Sequence, residues 1–239
     1  MEPMAKKETA PEFDEFAEDY DVALEKGLAL SGEGKDYFAA GRMGWLANRL
    51  GQLNQKPSTA LDFGCGTGSA TPFFFETLGI SHLVGTDPSE KSLSVARNTW
   101  QDFAVTFRST ENVPSSEADK VDLAFCNGVF HHIPPADRAA ALASIYRDLK
   151  PGGYFAFFEN NPWNPVTRYA MSRVHFDRDA ILVWPHEARG LLRSAGFSVV
   201  RTDYLFFFPK SLAFMRGMEP GLAWLPMGGQ YLVLARKDP

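Results

Sequence analysis

Little in this sequence is built for disulfides, for metal or for a membrane span. Its two cysteines, Cys65 and Cys126, lie far apart in 239 residues and each sits in an apolar stretch. A CxxC redox pair or a zinc site needs closely spaced ligands, so both read as buried free thiols. No His, Asp and Glu cluster has metal-ligand spacing either, and no metal is expected. No run approaches the roughly 18 apolar residues of a membrane-spanning helix, and the longest apolar-aromatic run, Tyr204 to Phe208, is only strand-sized. Met1 to Tyr20 mixes Glu, Asp and Lys without the apolar core of a secretory signal, so the expected location is cytoplasmic. Positive charge is in deficit, 24 Lys and Arg against 29 Asp and Glu for a net charge of -5, which argues against a phosphate-tracking surface and a nucleic-acid partner. Repeats and low-complexity segments are also missing.

What is present is the balance of an ordinary globular protein, 45% hydrophobic and 22% charged, with twenty phenylalanines. From Thr59 onward short apolar runs alternate with helix-length amphipathic segments, which predicts an α/β, doubly wound, mostly parallel sheet with helices on both faces. Strands are expected at 59–63, 82–86, 105–108, 121–126, 154–158, 197–208 and 230–235, seven in all. Helices are expected at 67–78, at 89–100 behind a Ser-x-x-Ser cap, and at 135–149, stopped by Lys150-Pro-Gly-Gly153. Residues 11–50 read as two helices, the second carrying Tyr37, Phe38, Trp45, Leu46 and Leu50. We therefore expect an N-terminal helical cap over 1–50 and a main domain over 51–239. Two Pro-, Trp-, Met- and Gly-rich inserts without clear period, at about 160–185 and 209–229, are the expected substrate loops.

The chemistry gathers at Ala60-Leu-Asp-Phe-Gly-Cys-Gly-Thr-Gly68. A carboxylate ends a strand, alternate glycines let the backbone turn and approach a ligand, and the next helix offers free N–H groups. The following strand ends Val84-Gly-Thr-Asp87-Pro-Ser89, placing Asp87 about 20 residues past the turn, where an acidic side chain can accept from both ribose hydroxyls. A dinucleotide fingerprint wants its third glycine three positions after the second, whereas Gly66 and Gly68 are two apart, which disfavours NAD or FAD.

With Val121 to Pro134, Leu149 to Gly153 and Ala195-Gly-Phe197 following in order, the chain resembles the class I S-adenosylmethionine-dependent methyltransferases, in particular their ubiquinone-methyltransferase-like group. The resemblance runs from about Ala60 to Phe197 and implies a Rossmann-like fold with S-adenosylmethionine as cofactor. It places Gly64, Cys65, Gly66, Thr67 and Gly68 along the methionine and ribose, Asp62 near the amino group, and Asp87, Pro88 and Ser89 at the ribose. Asn127 would approach the methionine, with a turn-forming Asn as the alternative. Such enzymes often carry an Asp after the third strand for the adenine amino group. Here Ser109 stands in that place, leaving its hydroxyl or the backbone at Thr110 and Glu111 to make the contact. Tyr20, with Phe13 and Phe16, resembles the aromatic N-terminal segment that folds over the cofactor, and simple helix packing explains these rings equally well.

Methyl transfer from a sulfonium is an in-line displacement in which the protein mainly supplies positioning. A base is needed only where the acceptor must lose a proton. The candidates are His131 and His132 beside the fourth strand, which can equally serve as structural caps of the sheet. Glu159 and the Asn160-Asn-Pro-Trp-Asn-Pro165 segment are expected to wall the acceptor, a small or medium, apolar or lipid-linked molecule suggested by Phe206, Phe207, Phe208, Trp184, Met215, Met218, Trp224 and Met227. Arg168, Arg173, Arg178 and Arg189 flank His175 and read either as substrate anion contacts or as surface ion pairs. Two other functions stay open at this level, a non-catalytic cofactor-binding regulator and, less favoured, an NAD-dependent oxidoreductase.

Overall fold

The computed structural model describes residues 28, 31–110, 120–174 and 180–239. Tyr20, Phe13, Phe16, Glu111, His175 and Arg178 lie outside these described residues. The chain runs α1 (Lys35–Gln52), β1 (Thr59–Phe63), α2 (Thr71–Glu76), β2 (His82–Asp87), α3 (Glu90–Thr99), β3 (Val105–Ser109) and β4 (Val121–Asn127). It continues with α4 (Arg138–Asp148), β5 (Leu149–Asn160), α5 (Pro165–Arg173), α6 (Pro185–Ser194) and β6 (Phe197–Leu205). A 3-10 helix (Lys210–Met218), the short α7 (Glu219–Leu222) and β7 (Gln230–Lys237) complete it.

The seven strands form one sheet in the order β3-β2-β1-β4-β5-β7-β6. Five pair in parallel, and β7 enters antiparallel between β5 and β6. The order reverses between β1 and β4, and such a switch point opens a crevice at the carboxyl ends of the strands.

The alternating pleat sends neighbouring residues to opposite cores. On one face Ala60, Leu123, Phe125, Ala156 and Phe158 pack with Met43, Leu46 and Leu50 of α1 and Phe74 of α2. On the other, Leu61, Ala124, Cys126, Phe155 and Phe157 pack with Leu142 and Ile145 of α4 and Ala188 and Leu192 of α6. The α1 helix therefore shares the sheet's core. It is also clamped to β6, where the buried Asp203 accepts from Arg49 Nε at 2.7 Å and Trp45 Nε1 at 2.9 Å.

Three expectations about elements need correction. The helix does stop before Lys150, at Asp148, but the fifth strand, expected at 154–158, already begins at Leu149 and takes in Lys150 to Gly153, shifting register against β4 before Tyr154. The last long strand ends at Leu205 and not Phe208, because Phe206 takes φ +64° and turns the chain out of the sheet. The inserts are not mere loops. Asn164 caps α5 by accepting from Val166 N and Thr167 N, with Pro165 opening the helix, and residues 210–222 are helical.

Candidate functional site

The crevice holds a cavity of about 540 Å³, well within the range of small-molecule sites. Its first wall is the turn after β1, fastened to β2 because Gly64 N and Cys65 N both donate to Thr86 O at 2.7 and 3.0 Å. The three glycines of the turn have positive φ for different reasons. A Cβ on Gly64 would lie 2.3 Å from Val129 Cγ2, and one on Gly68 2.8 Å from Trp100 Cδ1. A Cβ on Gly66 would meet nothing within 4 Å, so at that point the backbone borders open space. Trp100 also donates from Nε1 to Thr67 O at 2.9 Å, pinning the turn from α3, a role that no sequence signal announces.

Two carboxylates organise this wall. Asp87 Oδ2 accepts from Gly66 N and Oδ1 from Ser89 N, both at 2.9 Å, while Ser89 Oγ caps α3 by accepting from Ser92 N. Asp62 lines the cavity and is 4% exposed. Burial first, and the Asp87 charge second, push its carboxyl up to about 7 against the pull of Arg42. Such a group is ready to ionise when a cation arrives beside it. Asn127 also lines the cavity, and its Oδ1 is buried with no hydrogen-bond partner among the described residues. A buried acceptor of this kind fits a ligand bearing a donor. Cys65 and Cys126 are free and buried as expected, and burial pushes both thiols well up.

Beyond Asn127 lie His131 and His132, whose ring centroids are 4.1 Å apart and which both line the cavity. His131 Nδ1 is 2.6 Å from Glu159 Oε2. Glu159 is fully buried and does not line the cavity. Its Oε1 accepts from Phe130 N at 2.8 Å and His131 N at 3.3 Å, and Oε2 also accepts from Asn160 N at 3.3 Å. The expectation that Glu159 walls the acceptor is therefore corrected. The pleat turns it beneath the sheet edge with Phe157, and it is Asn160 that reaches the cavity.

The remaining walls come from the inserts and α1. Thr167, Ala170, Met171 and Val174 line the cavity together with Phe206, Phe207, Phe208 and Pro209 and with Tyr37, Phe38 and Arg42 of α1. Arg42 Nη1 donates to Gln230 Oε1 at 3.0 Å and Gln230 Nε2 to Asn160 Oδ1 at 3.1 Å, a polar seam through an otherwise apolar sleeve. Arg216 lies 4.4 Å over the Tyr37 ring and pairs with Glu33 at 2.9 Å, joining the second insert to α1. Neither Arg42 nor Arg216 stands out in the sequence, since each acquires its role only through partners far along the chain.

Of the other expected cofactor contacts, Gly64, Cys65, Gly66 and Thr67 line the cavity, whereas Gly68, Asp87, Pro88, Ser89, Ser109 and Thr110 do not. Asp87 and Ser109 are register partners at the ends of β2 and β3. They continue the same sheet edge beyond the cavity. Trp163 also stands apart, 43% exposed and packed near Trp184 and Tyr204, with ring centroids 6.0 and 6.2 Å away. Among the described residues no group of three or more His, Cys, Asp or Glu side chains could hold a metal ion.

The family model of a methyltransferase domain matches residues 61–155, from β1 into β5. The chain is 30% identical over 148 residues to an uncharacterized methyltransferase of Synechocystis, covering 59% of this chain and 67% of that one. It is 31% identical over 123 residues to a ubiquinone biosynthesis O-methyltransferase of Aromatoleum aromaticum, covering 48% of each chain. A solved complex of the Haloferax volcanii Trm112 methyltransferase activator with a methyltransferase contains a chain of the same fold. There the TM-score is 0.65 at 21% identity, with 97% of this chain and 100% of that one covered. The oxidoreductase and regulator readings give way to these matches. The chain belongs to the class I S-adenosylmethionine-dependent methyltransferases and is an enzyme that uses S-adenosylmethionine as its cofactor.

Proposed function

We propose that the protein methylates a small or medium-sized apolar acceptor, lipid-linked acceptors included, at an atom that must lose a proton. The observation that carries this reading is a single cavity bordered by the glycine turn, Asp62 and Asn127, by the apolar sleeve of Met171, Val174 and Phe206 to Phe208, and by His131 and His132. The Aromatoleum relative, named for ubiquinone biosynthesis, supports an apolar acceptor with a hydroxyl. When bound, the cofactor supplies an electrophilic methyl group on a positively charged sulfur.

In this reading Asp62 and Asn127 Oδ1 receive the cofactor's ammonium group, and the backbone from Gly64 to Thr67 follows the methionine and ribose. Asp87, which also holds the Gly66 and Ser89 amides, accepts from the ribose hydroxyls, while Ser109 and Thr110 border the adenine. Glu159 is a positioning residue. Its carboxylate beside Nδ1 holds the His131 ring in one orientation and favours a proton on that nitrogen, leaving Nε2 basic. His131 or His132, both on the cavity wall, would take the proton that the acceptor must lose on methylation.

The test is a mass-spectrometric assay with isotope-labelled S-adenosylmethionine against alkyl-substituted phenols of increasing chain length. Labelled ether products that vanish in a His131→Ala, His132→Ala double variant, with S-adenosylhomocysteine affinity retained, are the expected result. Product formation undiminished in that variant would contradict the histidine roles.

A further inference from the structure

The two inserts that supply Val166 and Phe206 to Pro209 to the cavity also carry exposed apolar side chains. Phe214 and Trp224 are 83% and 74% exposed, Met227 and Val166 60% each, and Tyr169 52%. No residue of the 3-10 helix over Lys210–Met218 is buried, so this helix contributes no side chain to the core. The two inserts form one edge, because Asn164 Nδ2 donates to Met227 O at 2.7 Å and Thr167 Oγ1 to Gly229 O at 2.9 Å. Single exposed apolar residues are ordinary, but several large ones on two joined inserts point to a contact surface.

Charge follows the same edge. Residues 160–174 and 206–229 contain Arg168, Arg173, Lys210 and Arg216 against a single acid, Glu219, and with Arg216 paired to Glu33 three basic side chains remain, in a chain whose net charge is -5. Glu219 Oε1 accepts from Phe207 N and Phe208 N, both at 3.1 Å. Arg168, Arg173 and Lys210 are exposed. A basic, aromatic and Met-bearing rim on an otherwise acidic protein is complementary to an anionic lipid surface and repels little of what a bilayer presents.

We propose that this rim seats the protein on an anionic bilayer surface. Phe214, Trp224 and Met227 enter the headgroup boundary, and Arg168, Arg173 and Lys210 face the lipid phosphates. No described helix is long and apolar enough to cross a membrane, so the contact is interfacial. The sleeve between α5 and Phe206 to Pro209 then opens toward the lipid, and an apolar acceptor reaches His131 without crossing water. Only this last step rests on the apolar-acceptor reading.

Co-sedimentation of the full chain with vesicles of phosphatidylcholine alone, and of phosphatidylcholine with phosphatidylglycerol in equal parts, tests the proposal without turnover. Expected are partition onto the anionic vesicles, a decrease with added salt, a loss of about fivefold for Lys210→Ala or Arg168→Ala, and a loss of at least about tenfold for Phe214→Ser with Trp224→Ser. The serine variant should bind S-adenosylhomocysteine as the unmodified protein does, which shows that it is folded. Wild-type protein that stays in solution with both vesicle types overturns the proposal. So does partition indifferent to the serine substitutions, or a wild-type dimer that the same substitutions dissociate, since a second copy would then be the occupant of the rim. Failure on vesicles leaves the labelled-acceptor assay free to succeed.

Discussion

Asp87 Oδ2 accepts the amide of Gly66 at 2.9 Å, so the acid at the end of β2 holds the glycine turn that follows β1. The residue proposed to bind ribose thus also shapes the loop around the cofactor. Asp87→Ala should weaken S-adenosylhomocysteine binding by about 1–3 kcal/mol, since it leaves both the ligand hydroxyls and the Gly66 and Ser89 amides short of an acceptor. Calorimetric titration checks this. Affinity within twofold of wild type would remove Asp87 from the site.

Asp62 makes the site pH-dependent in two opposite directions. Its folded-state carboxyl lies near 7, above its ordinary value. The stability that this raised group contributes is fully present below its ordinary value of 3.8 and is progressively lost as pH rises from there through about 7, because the unfolded chain gives up the proton first. Cofactor binding in the proposed pose needs the carboxylate, so affinity should fall about tenfold between about pH 8 and pH 6. Asp62→Asn should flatten that profile and weaken binding at high pH. Titrations at several pH values, paired with thermal unfolding of the ligand-free protein, read both trends.

Glu159 is surrounded by donors and fully buried. Glu159→Ala would leave the amides of Phe130, His131 and Asn160 and the His131 ring without their acceptor, at about 1–3 kcal/mol for a buried donor, so it should be strongly destabilised in denaturant unfolding. Glu159→Gln keeps the shape, and it should lower kcat for a hydroxyl acceptor and move the pH–rate profile while the cofactor Kd stays nearly constant. A pH–rate profile identical to wild type would leave Glu159 a purely structural acid.

Met171 lines the cavity and Trp163 does not. Met171→Ala should raise the acceptor KM several-fold with little change in cofactor Kd, whereas Trp163→Ala should leave both nearly unchanged. Steady-state kinetics on one apolar acceptor separates the two. The opposite pattern would place the acceptor outside the sleeve.

How much of this was legible in the sequence follows from the range of each interaction. The first four strands begin where the apolar runs begin and end within one residue of them, because alternation and the glycine turn are local signals. Helix α5 was hidden by Asn161-Pro-Trp-Asn-Pro165, whose prolines suggest a loop although Asn164 and Pro165 are also good start residues for a helix. Phe206 to Phe208 continue an apolar run, and only the tertiary packing of Phe206 against Tyr37 and Phe38 turns them into the cavity. Glu159 illustrates the limit most clearly. Sequence places it at the edge of the sheet that binds ligands, but the face it takes depends on the pleat and on His131, which lies 28 positions earlier.

The most direct test of the account is calorimetric titration of S-adenosylhomocysteine into the wild-type protein and Gly66→Val, with thermal unfolding of both. Gly66 is the glycine of the turn whose missing side chain leaves open space, so a branched residue there fills the cavity at the cost of an unfavourable positive φ. The account predicts one-to-one binding by the wild type and none measurable by a variant that still unfolds cooperatively. A folded Gly66→Val protein that binds with wild-type affinity would contradict it.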